Sequence, residues 1–282
     1  MLAGRLRLPM MLPAPVELAS FGWLAIALLL QCLGLPRSSM LAGLGAIGLA
    51  LLCGLLQPLG LLALAVAGSL SYVVYRFPRP EWRVLWLALL LALALHALPG
   101  FDNPLLWQGR ATPDSQVYRL LWSFDKGVAG WLLLLGLHDA PHRGRAWGGA
   151  VAAVGLLLLM LVLALAQESG MITYAPKLPA WLLPWLFANF FLTALPEEAL
   201  FRHGLQRWLE NRVEPLPALI AASLLFGAAH VAGGWGWVGL ATLAGLGYGL
   251  VYAATRQVAL AALAHLAFNT AHLLLFTYPR PG

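Results

Sequence analysis

Six polar side chains near the C-terminus stand in or against strongly apolar runs: Glu197, Glu198, Arg202, His230, His265 and Asn269. A charged group at the centre of a bilayer helix costs roughly 2.5–3.5 kcal/mol on insertion scales. Two carboxylates, a guanidinium, two imidazoles and a carboxamide in such surroundings therefore need a purpose, and hydrolysis within a membrane supplies one. Cleaving a peptide bond requires a base for water, a donor for the oxyanion and an acid for the leaving amine. Glu197 or Glu198, the two histidines and Asn269 offer those functions. The same groups are zinc-donor types; were zinc the cofactor, Glu197, His230 and His265 would hold it. No His-Glu-x-x-His string occurs, so the helix-borne zincin arrangement is absent.

Spacing and depth support a single site. Glu198 and Arg202 are four residues apart and share a helix face, which favours an ion pair, whereas Glu197 points about 100° away. Pro196 precedes the pair and kinks or restarts the helix beside the acids. Asn269 lies four residues after His265, on the same face, and His272 follows seven after. At 1.5 Å per residue, Glu198 is roughly 13 Å from Arg207, His230 roughly 20 Å from Pro217 and His265 roughly 13 Å from Arg256. Tilts of about 20° absorb the differences, so the three helices bring their polar groups to one layer.

The elements that carry these residues follow from composition. Of 282 residues, 61% are hydrophobic and only 10% are charged, against about a quarter charged in soluble domains. The chain reads as an all-α, polytopic transmembrane helical bundle. Its net charge of +6 is scattered between apolar runs rather than gathered in a basic stripe, which excludes nucleic acid as a partner. The lipid bilayer is the partner that composition implies, and tryptophan, of which there are twelve, collects where bilayer meets water.

Apolar runs fall at 16–35, 40–75, 82–98, 117–137, 146–166, 180–206, 216–231, 235–255 and 258–276. The second is too long for one span, and Gln57-Pro58 marks its break. The first half of 117–137 is doubtful as a span because Arg119, Asp125 and Lys126 interrupt it. About nine or ten helices result. No β-barrel alternation occurs. If the later spans alternate, the connections holding Arg76, Arg79 and Arg83, then Arg143 and Arg145, then Arg207 and Arg212, and finally Arg256, share one face, assigned to the cytosol. Two spans within 40–75 put Arg5 and Arg7 on the other face, and one span plus a surface piece puts them on the cytosolic face. The first run lacks a small-residue cleavage site and is expected to remain as an anchor. Cys32 and Cys53 lie in apolar runs and read as buried, inert thiols.

Three strings in order, Glu197-Glu198-x3-Arg202, Phe226-x3-His230 and His265-x3-Asn269, resemble the type II CAAX prenyl endopeptidase and bacteriocin-processing family of intramembrane proteases, also called ABI or CPBP. The stretch from Gly245 to Gln257 is similar to the helix and turn before that family's final histidine. The resemblance covers about 180–276, taken as the catalytic core, and leaves 1–179 as transmembrane helices of unassigned role. It implies that Glu197 activates water with help from His230, that His265 and Asn269 stabilise the oxyanion, and that Glu198 and Arg202 brace the site. It also implies a peptide or protein-tail substrate and a multi-pass protein, expected in a bacterial inner membrane with its site opening toward the cytosolic side. Whether the family is glutamate-type or metal-dependent stays open at this point.

The alternative is a non-catalytic peptide-binding or immunity protein on the same scaffold. Proton-coupled transport is disfavoured, because no pair of broken helices recurs in two halves. Elsewhere, His203 is expected at the interface, and His96, His138 and His142 in solvated loops or helix ends. Ala241, Gly245 and Gly249 are spaced for close helix packing, and the Trp235-Gly-Trp237 turn reads as an interfacial anchor.

Overall fold

A computed structural model describes residues 10–77, 79–137 and 148–282. Proline opens five of its helices: α1 (Pro15–Cys32), α2 (Pro36–Leu52), α3 (Pro58–Arg76), α4 (Pro80–Ala94) and α8 (Pro215–Ala228). At the first helical position the missing N–H forfeits nothing and φ is already set. The others are α5 (Phe124–Gly136), α6 (Gly148–Glu168), α7 (residues 182–210, described below), α9 (Trp235–Thr255) and α10 (Val258–Leu275). Helices α1, α3, α6, α9 and α10 are long and apolar enough to cross a membrane by length and composition, and α2 and α8 are shorter apolar helices. The helical bundle and the break at Gln57-Pro58 are as the sequence predicts.

The run 117–137 is not one span. Its charged half pairs as β2 (Val117–Leu121) with β1 (Leu105–Arg110) in an antiparallel hairpin, and only Phe124–Gly136 is helical. The alternating exposure of Val117 to Leu121 keeps Arg119 exposed and Leu120 buried. A strand at the bundle's end accommodates that alternation where a spanning helix could not.

This hairpin defines one end of the molecule. Gln116 N donates to Arg280 O at 2.9 Å, Gly282 N to Asp114 O at 2.9 Å and Thr277 N to Thr173 O at 2.8 Å. Arg280 Nη1 donates to Gly233 O at 2.8 Å. The hairpin, the α6–α7 connection, the α8–α9 turn and the C-terminal tail thus meet on one face. Met11 N donates to Leu106 O at 2.8 Å, which places the start of α1 there too. The α3–α4, α7–α8 and α9–α10 connections, with Arg76, Arg79, Arg212 and Arg256, belong to the opposite end, where Arg256 pairs with Glu210. Arg5, Arg7, His138, His142, Arg143 and Arg145 lie outside the described residues.

Between the ends, Phe21, Leu24, Leu28, Trp86 and Leu90 pack without exposure above 1%. Two buried indoles there are paired: Trp131 Nε1 donates to Ser39 Oγ at 2.9 Å and Trp86 Nε1 to Ser71 Oγ at 2.8 Å. The thiols differ from expectation. Cys32, at the last position of α1, is exposed, and Cys53 is half-buried.

Candidate active site

Helix α7 is built around Pro196. It runs as α-helix Leu182–Asn189, π-helix Phe190–Ala194, α-helix Leu195–Glu198, π-helix Ala199–Gln206 and α-helix Arg207–Glu210. A proline inside a helix lacks its N–H and crowds the carbonyl one turn back; the wider π turns absorb both defects without a break. Such turns occur mostly at functional sites, and here they flank Glu197 and Glu198.

The adjacent glutamates have separate surroundings. Glu198 has no exposure. Its Oε2 accepts from Arg202 Nε at 2.8 Å and its Oε1 from His265 Nδ1 at 2.9 Å. Arg202 is equally buried; Nη1 reaches Gln206 Oε1 at 3.4 Å, and the guanidinium lies 5.5 Å from the Phe226 ring centroid. Gly249 makes this possible, since a Cβ there would stand 3.0 Å from Arg202 Nη1 and 2.3 Å from Leu219. The spacing of Gly245 and Gly249 therefore serves close packing, as expected, specifically around the buried arginine.

Glu197 keeps 19% side-chain exposure and its Oε1 accepts from Lys126 Nζ at 2.6 Å. His230 sits just past the end of α8, where carbonyls lack helical partners, and Phe226 O accepts from its Nδ1 at 2.8 Å. That gives the Phe-x3-His string a physical meaning: the fourth residue back orients the imidazole, leaving the Nε2 lone pair of the neutral ring. His265 stacks on Tyr248 with ring centroids 4.4 Å apart and planes 13° apart. Asn269 Nδ2 donates to Asn189 Oδ1 at 3.2 Å.

Glu197, His230, His265 and Asn269 line one cavity of ≈ 320 Å³, together with Asn189 and His272. Glu198 and Arg202 stand behind its wall. Tyr118, Ile172 and Tyr278 also line it, and these belong to the hairpin, the α6–α7 connection and the tail. Burial pushes the phenols of Tyr118 and Tyr278 above their ordinary pKa, so they stay neutral at the mouth. The sequence reading put both the arginine connections and the site's opening on the cytosolic side. The cavity's lining instead reaches the end opposite those arginines.

Among the described residues, no three His, Cys, Asp or Glu side chains group as a metal site requires. Lys126 Nζ takes the place beside Glu197 Oε1 that a cation would need. Glu197, His230 and His265 in this arrangement do not fit a zinc ligand set.

Several site residues escaped the sequence reading. Lys126 and Asp125 counted only against a span, and Asn189 is a lone carboxamide in an apolar run. His96 is not merely solvated: its Nδ1 lies 2.7 Å from Asp125 Oδ2. His203 Nε2 lies 2.7 Å from Leu137 O. Trp235 is 82% exposed, as an anchor would be, but Trp237 lines the cavity.

The fold and site define a multi-pass helical membrane protein with a carboxylate–imidazole cavity set among its helices. Residues 179–271, about a third of the chain, match the family described as type II CAAX prenyl endopeptidase, Rce1-like. Comparison with curated proteins and with solved structures finds no match.

Proposed function

We propose that the chain is an intramembrane endopeptidase that cleaves near the tail of a membrane-associated or sorted protein, with water activated by Glu197. The carrying observation is the division between the two glutamates. Glu198 is sealed in the wall by Arg202 and His265, whereas Glu197 faces the cavity with part of its surface exposed.

In this reading Glu197 takes a proton from water while His230 Nε2 accepts the second hydrogen. The hydroxide oxygen adds to the scissile carbonyl, and Asn269 and His265 donate to the resulting oxyanion. The Glu198 carboxylate on Nδ1 fixes the orientation of the His265 ring. The proton held by Glu197 passes to the leaving nitrogen as the C–N bond breaks. The substrate tail enters from the hairpin face, past Tyr118 and Tyr278.

The test compares tail peptides from cells carrying wild-type protein and Glu197→Gln protein. Loss of general-base chemistry costs about 10²–10⁴-fold, so at least one tail remains uncut in the variant while the protein still inserts and folds. Unchanged tails in Glu197→Gln, His230→Ala and His265→Ala cells would assign the scaffold to peptide binding instead.

A further inference from the structure

Lys126 lies outside the matched segment, on a helix that the sequence ties to no chemistry, yet its ammonium contacts the cavity carboxylate directly. We infer that Lys126 is a positioning residue of the reaction: it binds Glu197 Oε1, keeps that carboxylate ionised, and leaves Oε2 as the oxygen that meets water. This rests on the reading of Glu197 as the base.

Charge balance makes the case. Glu197 and Glu198 are neighbours, and Arg202 is committed to Glu198. Without Lys126, Glu197 would be a carboxylate beside a second one with only the His230 and His265 imidazoles facing it, an arrangement that buried sites tolerate poorly. The two ion pairs also differ in kind. Glu198 and Arg202 have no exposure, as a bracing pair should, whereas Lys126 and Glu197 retain 18% and 19%. The second pair is therefore open to water and free to exchange partners as charge moves.

The fold holds Lys126 in place from two sides. One turn further along α5, Gly130 lies so close to α7 that a Cβ would stand 2.8 Å from Pro196 Cα. That contact brings the start of α5 alongside the acids. The first turn is then pinned by Asp125, which is 1% exposed. Asp125 Oδ1 accepts from Asn103 Nδ2 at 3.1 Å and from Lys126 N at 2.9 Å, its Oδ2 contacts His96 Nδ1, and Asn103 Oδ1 accepts from Phe124 N at 2.8 Å. A buried network that fixes one lysine beside the catalytic carboxylate is more than a surface ion pair requires.

The experiment needs no known substrate for its first arm. Infrared difference spectra of the full chain in lipid vesicles, each protein minus its Glu197→Gln partner, isolate the Glu197 carboxyl. Wild type and Lys126→Arg should show an ionised carboxylate band, and Lys126→Met and Lys126→Gln a protonated carboxylic acid band. In cells, tail cleavage should fall at least about 100-fold in Lys126→Met, the lower range of a lost general base, and recover in Lys126→Arg. An ionised band or wild-type cleavage in Lys126→Met overturns the inference, as does failure of both Met and Gln variants to fold, which would make the pair purely structural. Cleavage that survives Glu197→Gln sinks the underlying reading instead.

Discussion

At the scale of single residues, one peptide bond separates two glutamates with different surroundings, and stability measurements should tell them apart. Removing one member of a buried ion pair strands the other and costs about 3–5 kcal/mol. Glu198→Ala and Arg202→Ala should therefore lower the thermal unfolding midpoint sharply in detergent. Glu197→Ala should stay close to wild type in stability while losing cleavage, because its lysine partner can turn to water. Much of this was legible in the sequence. The i,i+4 relation of Glu198 and Arg202 follows from helix geometry, and the rise per residue brought Glu198, His230 and His265 to one layer. Lys126 and Asn189 were not legible. Their roles arise from packing between helices far apart in the chain, and a lone lysine at the start of an apolar run looks the same whether it meets water or a carboxylate.

At the scale of elements, the site depends on how closely α5 approaches α7. Gly130→Val should push the two helices apart at Pro196, since even a Cβ would stand 2.8 Å from Pro196 Cα. A misplacement near 1 Å can cost about 100-fold in rate, so cleavage should fall by that order while the helical signal in circular dichroism persists. Gly249→Val should act differently. It would crowd Arg202 and Leu219, and the loss should appear first as lowered thermal stability. Hydropathy located most helices, because lipid-facing runs announce themselves by length. It left the first half of 117–137 doubtful as a span without finding β2 there, because alternation over five residues is a faint signal beside a long leucine run. The π turns of α7 had only Pro196 as their forewarning.

At the scale of the whole molecule, the cavity mouth and the arginine-bearing connections lie at opposite ends. This predicts opposite labelling in a background with Cys32 and Cys53 replaced by serine. In sealed, uniformly oriented vesicles, a membrane-impermeant thiol reagent should modify only one of two single-cysteine proteins, Thr112→Cys in the hairpin turn and Arg212→Cys in the α7–α8 connection. Labelling of both from the same side would remove the proposed path into the site. The N-terminal helices also acquire a role in the site. Helix α5 brings Lys126 to Glu197 and the hairpin brings Tyr118 to the cavity wall, so the residues around the cavity are not confined to 180–276.

The most direct measurement of the central claim is the origin of the oxygen in the product. A single round of cleavage in ¹⁸O-labelled water, on a tail that wild-type cells cut and Glu197→Gln cells do not, should leave one ¹⁸O in the new C-terminal carboxylate, with no labelled product from the purified Glu197→Gln protein. Labelled product formed equally by both proteins would show that some other group activates the water.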